Sequence, residues 1–190
     1  METTNQVKSN LLSGKYHSRL SEIYGKGENV IAAQQKRYLN AVEAFEALFP
    51  ESGPIDLFSA PGRTEVGGNH TDHQRGIVLA AAVNLDVIAV VSFNDTGVIR
   101  VKSQGFPMDT VDLSDLAVQK EESGSSAALI RGIASRLHDL GHQIGGFDAY
   151  TTSNVLKGSG LSSSAAFENL IGTILNHGYN GGGISPVEIA

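Results

Sequence analysis

Asn154-Val155-Leu156-Lys157-Gly158-Ser159-Gly160-Leu161-Ser162-Ser163-Ser164-Ala165-Ala166 is the stretch on which the fold turns. A strand read over Gly146 to Thr152 aims at it. A helix read over Ala165 to Asn176 leaves it, with Phe167, Leu170, Ile171, Ile174 and Leu175 forming a broad apolar face. Glycines let successive backbone N–H groups turn toward one point, and a helix starting there adds unpaired donors and the positive end of its dipole. The combination is an anion site of the kind that holds nucleotide phosphates. It is not the P-loop, which sets Lys-Ser/Thr directly after its last glycine, whereas Lys157 here precedes the glycines. A Gly/Ser loop capping an ordinary helix has the same composition, so the loop alone does not decide function.

A second Gly-rich stretch lies upstream: Ser59-Ala60-Pro61-Gly62-Arg63-Thr64-Glu65-Val66-Gly67-Gly68-Asn69-His70-Thr71-Asp72-His73. Asp72 can accept from hydroxyls, His70 and Asn69 can donate and accept, and such a set suits a neutral polyol. Arg63 adds a planar fork matched to carboxylate or phosphate. A turn-rich surface loop is the ordinary reading of such a cluster. Its coincidence with the serine loop displaces that reading.

Together the two stretches resemble the galactokinase branch of the GHMP sugar- and metabolite-kinase superfamily. Ala60-Pro61-Gly62-Arg63 through Asn69-His70-Thr71-Asp72 is similar to the family's sugar-binding signature, and Gly158 to Ser164 to its phosphate loop. The resemblance spans roughly residues 25 to 190. The family has Asn where Glu65 stands, Glu at Asn69, Tyr at His73 and Pro at Leu156; Asn69 keeps hydrogen-bonding capacity and loses a charge.

What the resemblance implies is specific. The backbone and side chains of Gly158, Ser159, Gly160, Leu161, Ser162, Ser163 and Ser164 would hold the phosphates of ATP, with Ser164 facing Mg²⁺. Asn69, His70, Thr71 and Asp72 would grip galactose or a related monosaccharide, and Arg63 would stabilise charge on the transferred phosphoryl group. Ser103 lies where the family places a nucleotide contact. The expected activity is ATP-dependent phosphorylation of galactose to galactose 1-phosphate. A non-catalytic galactose and ATP sensor on the same fold, or another GHMP small-molecule kinase, are the alternatives. The family's catalytic aspartate, and the glutamate sharing its magnesium, follow the serine loop in a segment not present in these 190 residues. Asp148 precedes the loop and is no substitute in chain order. The resemblance therefore implies the N-terminal portion of a longer kinase, inactive when taken alone.

Composition sets the outer bounds. With 190 residues, 41% hydrophobic and 18% charged, the chain suits one globular core. Fourteen basic against 20 acidic residues give a net charge of −6, and no basic run interleaves with aromatics, so nucleic acid is not an expected partner. The absence of cysteine removes disulfide and zinc-thiolate frameworks and fits a reducing compartment. Met1 to Asn10 lacks an apolar segment, and Ile77 to Val83 is far too short to span a bilayer. The expectation is a soluble cytoplasmic protein with no membrane partner; its oligomeric state is not legible.

Residues 1–27 read as a loose lead-in with one short helix around Tyr16 to Ile23, and Glu28 to Phe49 as an amphipathic helix ended by Pro50. A lead-in with this helix (1–54) and a sugar- and ATP-binding domain (55–190) are the expected units. Ile55 to Ser59 reads as a short strand leading into the signature. Gly76 to Val83 and Asp86 to Phe93 read as two buried strands separated by Asn84-Leu85. Asn94 to Gly97 carries hairpin chemistry before a strand at Val98 to Ser103. Asp109 to Leu113 is a further strand, and Ser125 to Leu140 a helix stopped by Gly141. His138, His142 and His177 fall at helix ends, where the dipole favours a positive imidazole. No metal-ligand spacing is visible. The resulting class is α+β: a layered mixed sheet covered by helices, of the GHMP-kinase N-terminal type.

Overall fold

The computed structural model describes residues 1–68, 75–155, 158 and 160–189. Three helices open the chain: α1 (Thr4–Leu12), α2 (His17–Tyr24) and α3 (Glu28–Leu48). The expected loose lead-in is thus two helices rather than one. The start of α1 is a capping box, in which the Thr3 hydroxyl accepts from the Gln6 N–H and the Gln6 side chain accepts from the Thr3 N–H. That Thr-x-x-Gln signal was in the sequence and outweighs the weak periodicity.

Five strands follow: β1 (Asp56–Gly67), β2 (Leu79–Asn94), β3 (Val98–Ser103), β4 (Met108–Asp112) and β5 (Gly146–Ser153). Helix α4 (Ser126–Asp139) precedes β5, and α5 (Ser163–Asn180) and the short α6 (Pro186–Ile189) come after it. The strands form one mixed sheet in the order β1-β2-β5-β3-β4, parallel only between β3 and β5. The expected α+β class is what the structure shows. The Asn94–Gly97 turn does not close a hairpin, because β5 inserts between β2 and β3.

Both faces of the sheet are covered, so the stretch Val87 to Val91 of the central strand β2 is apolar and buried at every position. Along β2, Val87, Ala89 and Val91 point to a core shared with α4 and α5, while Ile88 and Val90 point to one shared with α1, α2 and α3. The apolar faces of α4 and α5 are closed by this packing, with Ile130, Ala134, Leu170, Ile171 and Ile174 fully buried. No helix among the described residues is long and apolar enough to cross a membrane.

The two strands expected on either side of Asn84-Leu85 are one strand. Its first part, Leu79 to Leu85, is largely exposed rather than buried, because among the described residues it pairs only with β1. β1 likewise continues through the signature to Gly67 instead of ending at Ser59. The turn-like composition of Gly62 and Gly67 is absorbed by two register shifts, between Pro61 and Arg63 and between Glu65 and Gly67.

The α1 helix is fastened by carboxylates. Glu46 on α3 accepts from Lys8 Nζ at 2.8 Å and Thr4 Oγ1 at 2.9 Å. Glu2 accepts from the Tyr16 hydroxyl, from Asn10 Nδ2 at 2.8 Å and from Lys15 Nζ at 3.1 Å. The Tyr16 hydroxyl, then Lys15, hold the Glu2 carboxyl at about 2, against an ordinary 4.5. Because the folded value lies below the unfolded one, this stabilisation is complete above pH 4.5 and is lost as pH falls toward 2. Tyr16→Phe should therefore lower the urea midpoint at neutral pH, with the difference from wild type shrinking on acidification through that window. A pH-independent difference would show that Tyr16 acts by packing instead.

Candidate functional site

The signature and the serine loop meet at one backbone contact. Arg63, on β1 and half-buried, donates its N–H to the Leu161 carbonyl at 3.1 Å. The neighbouring Gly62 is buried, and a Cβ placed there would sit 3.0 Å from the Leu161 carbonyl oxygen and 3.1 and 3.2 Å from the Val155 methyls. A side chain here would push the loop or the Val155 methyls back by a few tenths of an ångström, so glycine favours the close approach of the signature strand to the loop that follows β5. The described parts of the two Gly-rich stretches, a hundred residues apart in sequence, thus lie against one another.

The loop is shaped by left-handed backbone. Gly158 and Gly160 have φ of 78° and 76°, and Ser162, a residue that pays sterically for it, has φ 57°. Helix α5 starts two residues earlier than its periodicity suggests, so Ser163 and Ser164 are its first two residues, with Ser164 exposed. The Ser162 side chain makes no capping hydrogen bond, and the first turn holds no acidic residue. The helix therefore presents N–H donors and positive dipole without a carboxylate of its own to occupy them. Beside this surface, Ser103 closes β3, and its Oγ accepts from Thr151 Oγ1 at 2.9 Å. Asn69, His70, Thr71, Asp72 and Ser159 lie outside the described residues, as do His73, Leu156 and Lys157.

Asp148, the acidic residue preceding the loop, is committed elsewhere. It is 6% exposed and takes a bidentate pair from Arg100, Nε to Oδ1 at 2.6 Å and Nη2 to Oδ2 at 2.7 Å. The Arg100 guanidinium also stacks on the Phe49 ring, 5.3 Å from its centroid. A carboxylate so engaged is a structural anchor of β5 and not a proton acceptor for a substrate.

Sequence reading missed the polar cluster beneath the signature. Asp86 is 2% exposed, and its carboxylate accepts from Ser59 Oγ at 2.6 Å, Tyr24 Oη at 2.5 Å and Arg37 Nη1 at 2.6 Å. Burial first, then Tyr38 and Asp86, push the Tyr24 phenol far above its ordinary range, so it stays a donor. The available signal was an aspartate inside an apolar, β-branched run, since a buried carboxylate requires partners. A cavity of 920 Å³ opens above this cluster between α1, α2 and β1, lined in part by Tyr24, Ser59, Pro61 and Asp86. Ser59 and Pro61 bring the start of the signature to its wall; among the described residues, none of the serine loop lines it.

The galactokinase galactose-binding signature matches residues 43–93, and the GHMP kinases N terminal domain matches residues 128–190. A galactokinase of Streptomyces coelicolor is 35% identical over 139 residues, covering 72% of this chain and 35% of the relative. A galactokinase of Lactobacillus helveticus is 38% identical over 128 residues, covering 66% of this chain and 33% of the relative. The chain thus spans about a third of the length of the curated relatives it matches. Among solved structures, the Lactococcus lactis galactokinase complexed with galactose superposes with a TM-score of 0.70 at 25% identity, over 77% of this chain and 38% of that one. The Methanococcus jannaschii mevalonate kinase gives a TM-score of 0.58 at 16% identity, over 72% of this chain and 44% of that one, a likeness of fold alone.

The Gly62 contact gives a direct test. Gly→Ala at a compatible backbone normally stabilises slightly by restricting the unfolded chain. Here the added methyl meets a backbone carbonyl that cannot rotate away, so Gly62→Ala should destabilise by about 1–3 kcal/mol, the usual cost of overpacking. Thermal or urea unfolding of the purified variant reads the sign; a gain in stability would mean that the strand and loop are free to separate.

Proposed function

The chain belongs to the galactokinase family of the GHMP kinase superfamily, and from that premise we propose that the whole protein phosphorylates galactose at C1 with MgATP. The observation that carries this reading is the junction of Arg63 N–H with the Leu161 carbonyl, which sets a galactose-binding signature against a phosphate-type loop.

In this reading the start of α5 receives the phosphates. The amides around Gly158, Gly160 and Leu161, with Ser162 and Ser163, supply donors to an anion, and the missing carboxylate in the first turn leaves the dipole available to it. Mg²⁺ arriving with the nucleotide would neutralise phosphate charge, and the exposed Ser164 is the hydroxyl this chain offers toward it. Ser103, held by Thr151 at the end of β3, is assigned a nucleotide contact. Asn69, His70, Thr71 and Asp72 are assigned to the sugar hydroxyls by the same family reading. Phosphoryl transfer depends mainly on positioning and charge neutralisation. Arg63 stands on the strand that touches the phosphate loop, and we assign it to the charge that develops on the transferred group. A cytoplasmic setting, where ATP is held, goes with this proposal.

A coupled assay of ADP release by the whole protein, run against a panel of monosaccharides, mevalonate and homoserine, should show turnover with galactose. Turnover with mevalonate or homoserine and not with galactose would overturn the galactokinase reading. Arg63→Lys replaces a planar fork by a point charge, so it should lower kcat on the order of 10²-fold and change the sugar KM far less. An unchanged kcat with a raised sugar KM would place Arg63 in ground-state binding.

A further inference from the structure

Asp86 occupies the branch point of the sheet. Val87 is the last residue of β2 paired with β5, opposite Ser153, and from there toward Leu79 the strand pairs, among the described residues, with β1 alone. On the β1 side, Pro61 pairs with Asp86 and Arg63 with Ala82, so Gly62 alone faces Val83 to Leu85. The register therefore breaks immediately beside Asp86, on the strand segment that carries Arg63. At the same point β5 stops, and the chain turns into the serine loop.

The groups on Asp86 reach every element that leaves this point. Its carboxylate takes Ser59 Oγ at 2.6 Å, four residues before Arg63 on the signature strand. Its carbonyl takes the Asn154 N–H at 2.9 Å, the first residue after β5 on the way to the serine loop. Arg37 on α3 bridges the same two sides: Nη1 donates to the Asp86 carboxylate at 2.6 Å, and Nη2 to the carbonyls of Asp86 at 3.0 Å and Thr152 at 3.1 Å. Both side chains are largely withdrawn from water, at 12% and 3% exposure, where an ion pair is screened little and holds its geometry.

We propose that the Arg37–Asp86 pair is a positioning device for phosphoryl transfer, fixing the separation between Arg63 and the serine loop without touching sugar or nucleotide. The proposal rests on the galactokinase reading above, because it requires both motifs to act in one reaction. A displacement of about 1 Å at a reacting centre can cost on the order of 10²-fold in rate. Loosening the branch point should therefore reach the chemistry through Arg63 while leaving each ligand's contacts in place.

The test uses the whole protein with Asp86→Asn, which keeps the volume and removes the charge, and with Ser59→Ala, which removes one hydrogen bond and leaves the ion pair. Each is assayed below its own unfolding temperature, and hydrogen exchange is followed at the amides of Arg63 and Asn154. The expected result for Asp86→Asn is a kcat lowered about 10- to 100-fold, with the KM values for galactose and ATP within about threefold of wild type. Both amides should lose protection together, and Ser59→Ala should show the same pattern more weakly. A folded Asp86→Asn or Ser59→Ala protein with wild-type kcat would overturn the proposal, as would a loss confined to KM. Failure of the wild-type protein to turn over galactose would instead overturn the galactokinase reading. Protection lost at only one of the two amides in a folded Asp86→Asn protein would show that the pair does not hold strand and loop together, and would overturn the proposal without touching the galactokinase reading.

Discussion

A carboxylate at 2% exposure has to be paired, and the pairing of Asp86 dictates how the rest of this molecule is put together. Its partners come from α2, α3 and β1, while its backbone carbonyl receives the residue that follows β5. Removing one member of such a buried pair typically costs about 3–5 kcal/mol, because the other charge is left uncompensated. Helices α2 and α3 are therefore fastened to the sheet at the position where the signature strand and the serine loop diverge. Elsewhere the sheet is held by apolar packing on both faces, which is strong but tolerant of small slips. The polar cluster adds direction at the one place where a slip would separate the two halves of the site.

From that anchor the site follows in short steps. The register break beyond Pro61 turns Gly62 inward against Val155 and Leu161, and Arg63 donates its N–H to Leu161. The loop uses left-handed backbone at Gly158, Gly160 and Ser162 and then enters α5, whose first turn is free of carboxylates. A non-glycine residue held at positive φ is uncommon, and at Ser162 it marks the start of the helix that we assign to the phosphates. The opposite end of the same strand, β5, is tied by the Arg100–Asp148 fork. One end of β5 is thus fixed by a charge pair and the other by the Arg37 hydrogen bond to the Thr152 carbonyl, leaving the loop between β5 and α5 as the part shaped for a ligand.

Much of this was legible in sequence, and the gaps have physical causes. The amphipathic faces of α3, α4 and α5 were readable because their periodicity is strong. Val98–Ser103 was readable because it alternates and is flanked by turn residues. The glycines of the signature misled: they read as a turn, but a β-bulge uses glycine in the same way, and local sequence does not separate the two. The long β2 strand was split at Asn84-Leu85 because its polar residues fall where the ribbon leaves the core, a property of the tertiary fold. Asp86 was visible as an anomaly in an apolar run. Arg37, 49 residues earlier, was not identifiable as its partner, since nothing local announces a contact of that separation. The α1 capping box is a local signal, Thr3 to Gln6, set in a segment whose hydrophobic pattern is too weak to announce a helix.

The central claim is that the signature strand and the serine loop form a single phosphoryl-transfer site set by the branch point at Asp86. A crystal structure of the whole protein with galactose and a non-hydrolysable ATP analogue tests it most directly. The account predicts the triphosphate at the start of α5 against residues 158–164, the sugar against the signature, and the Arg63 guanidinium directed at the γ-phosphate. Galactose bound away from the signature, or a triphosphate away from the serine loop, would contradict it.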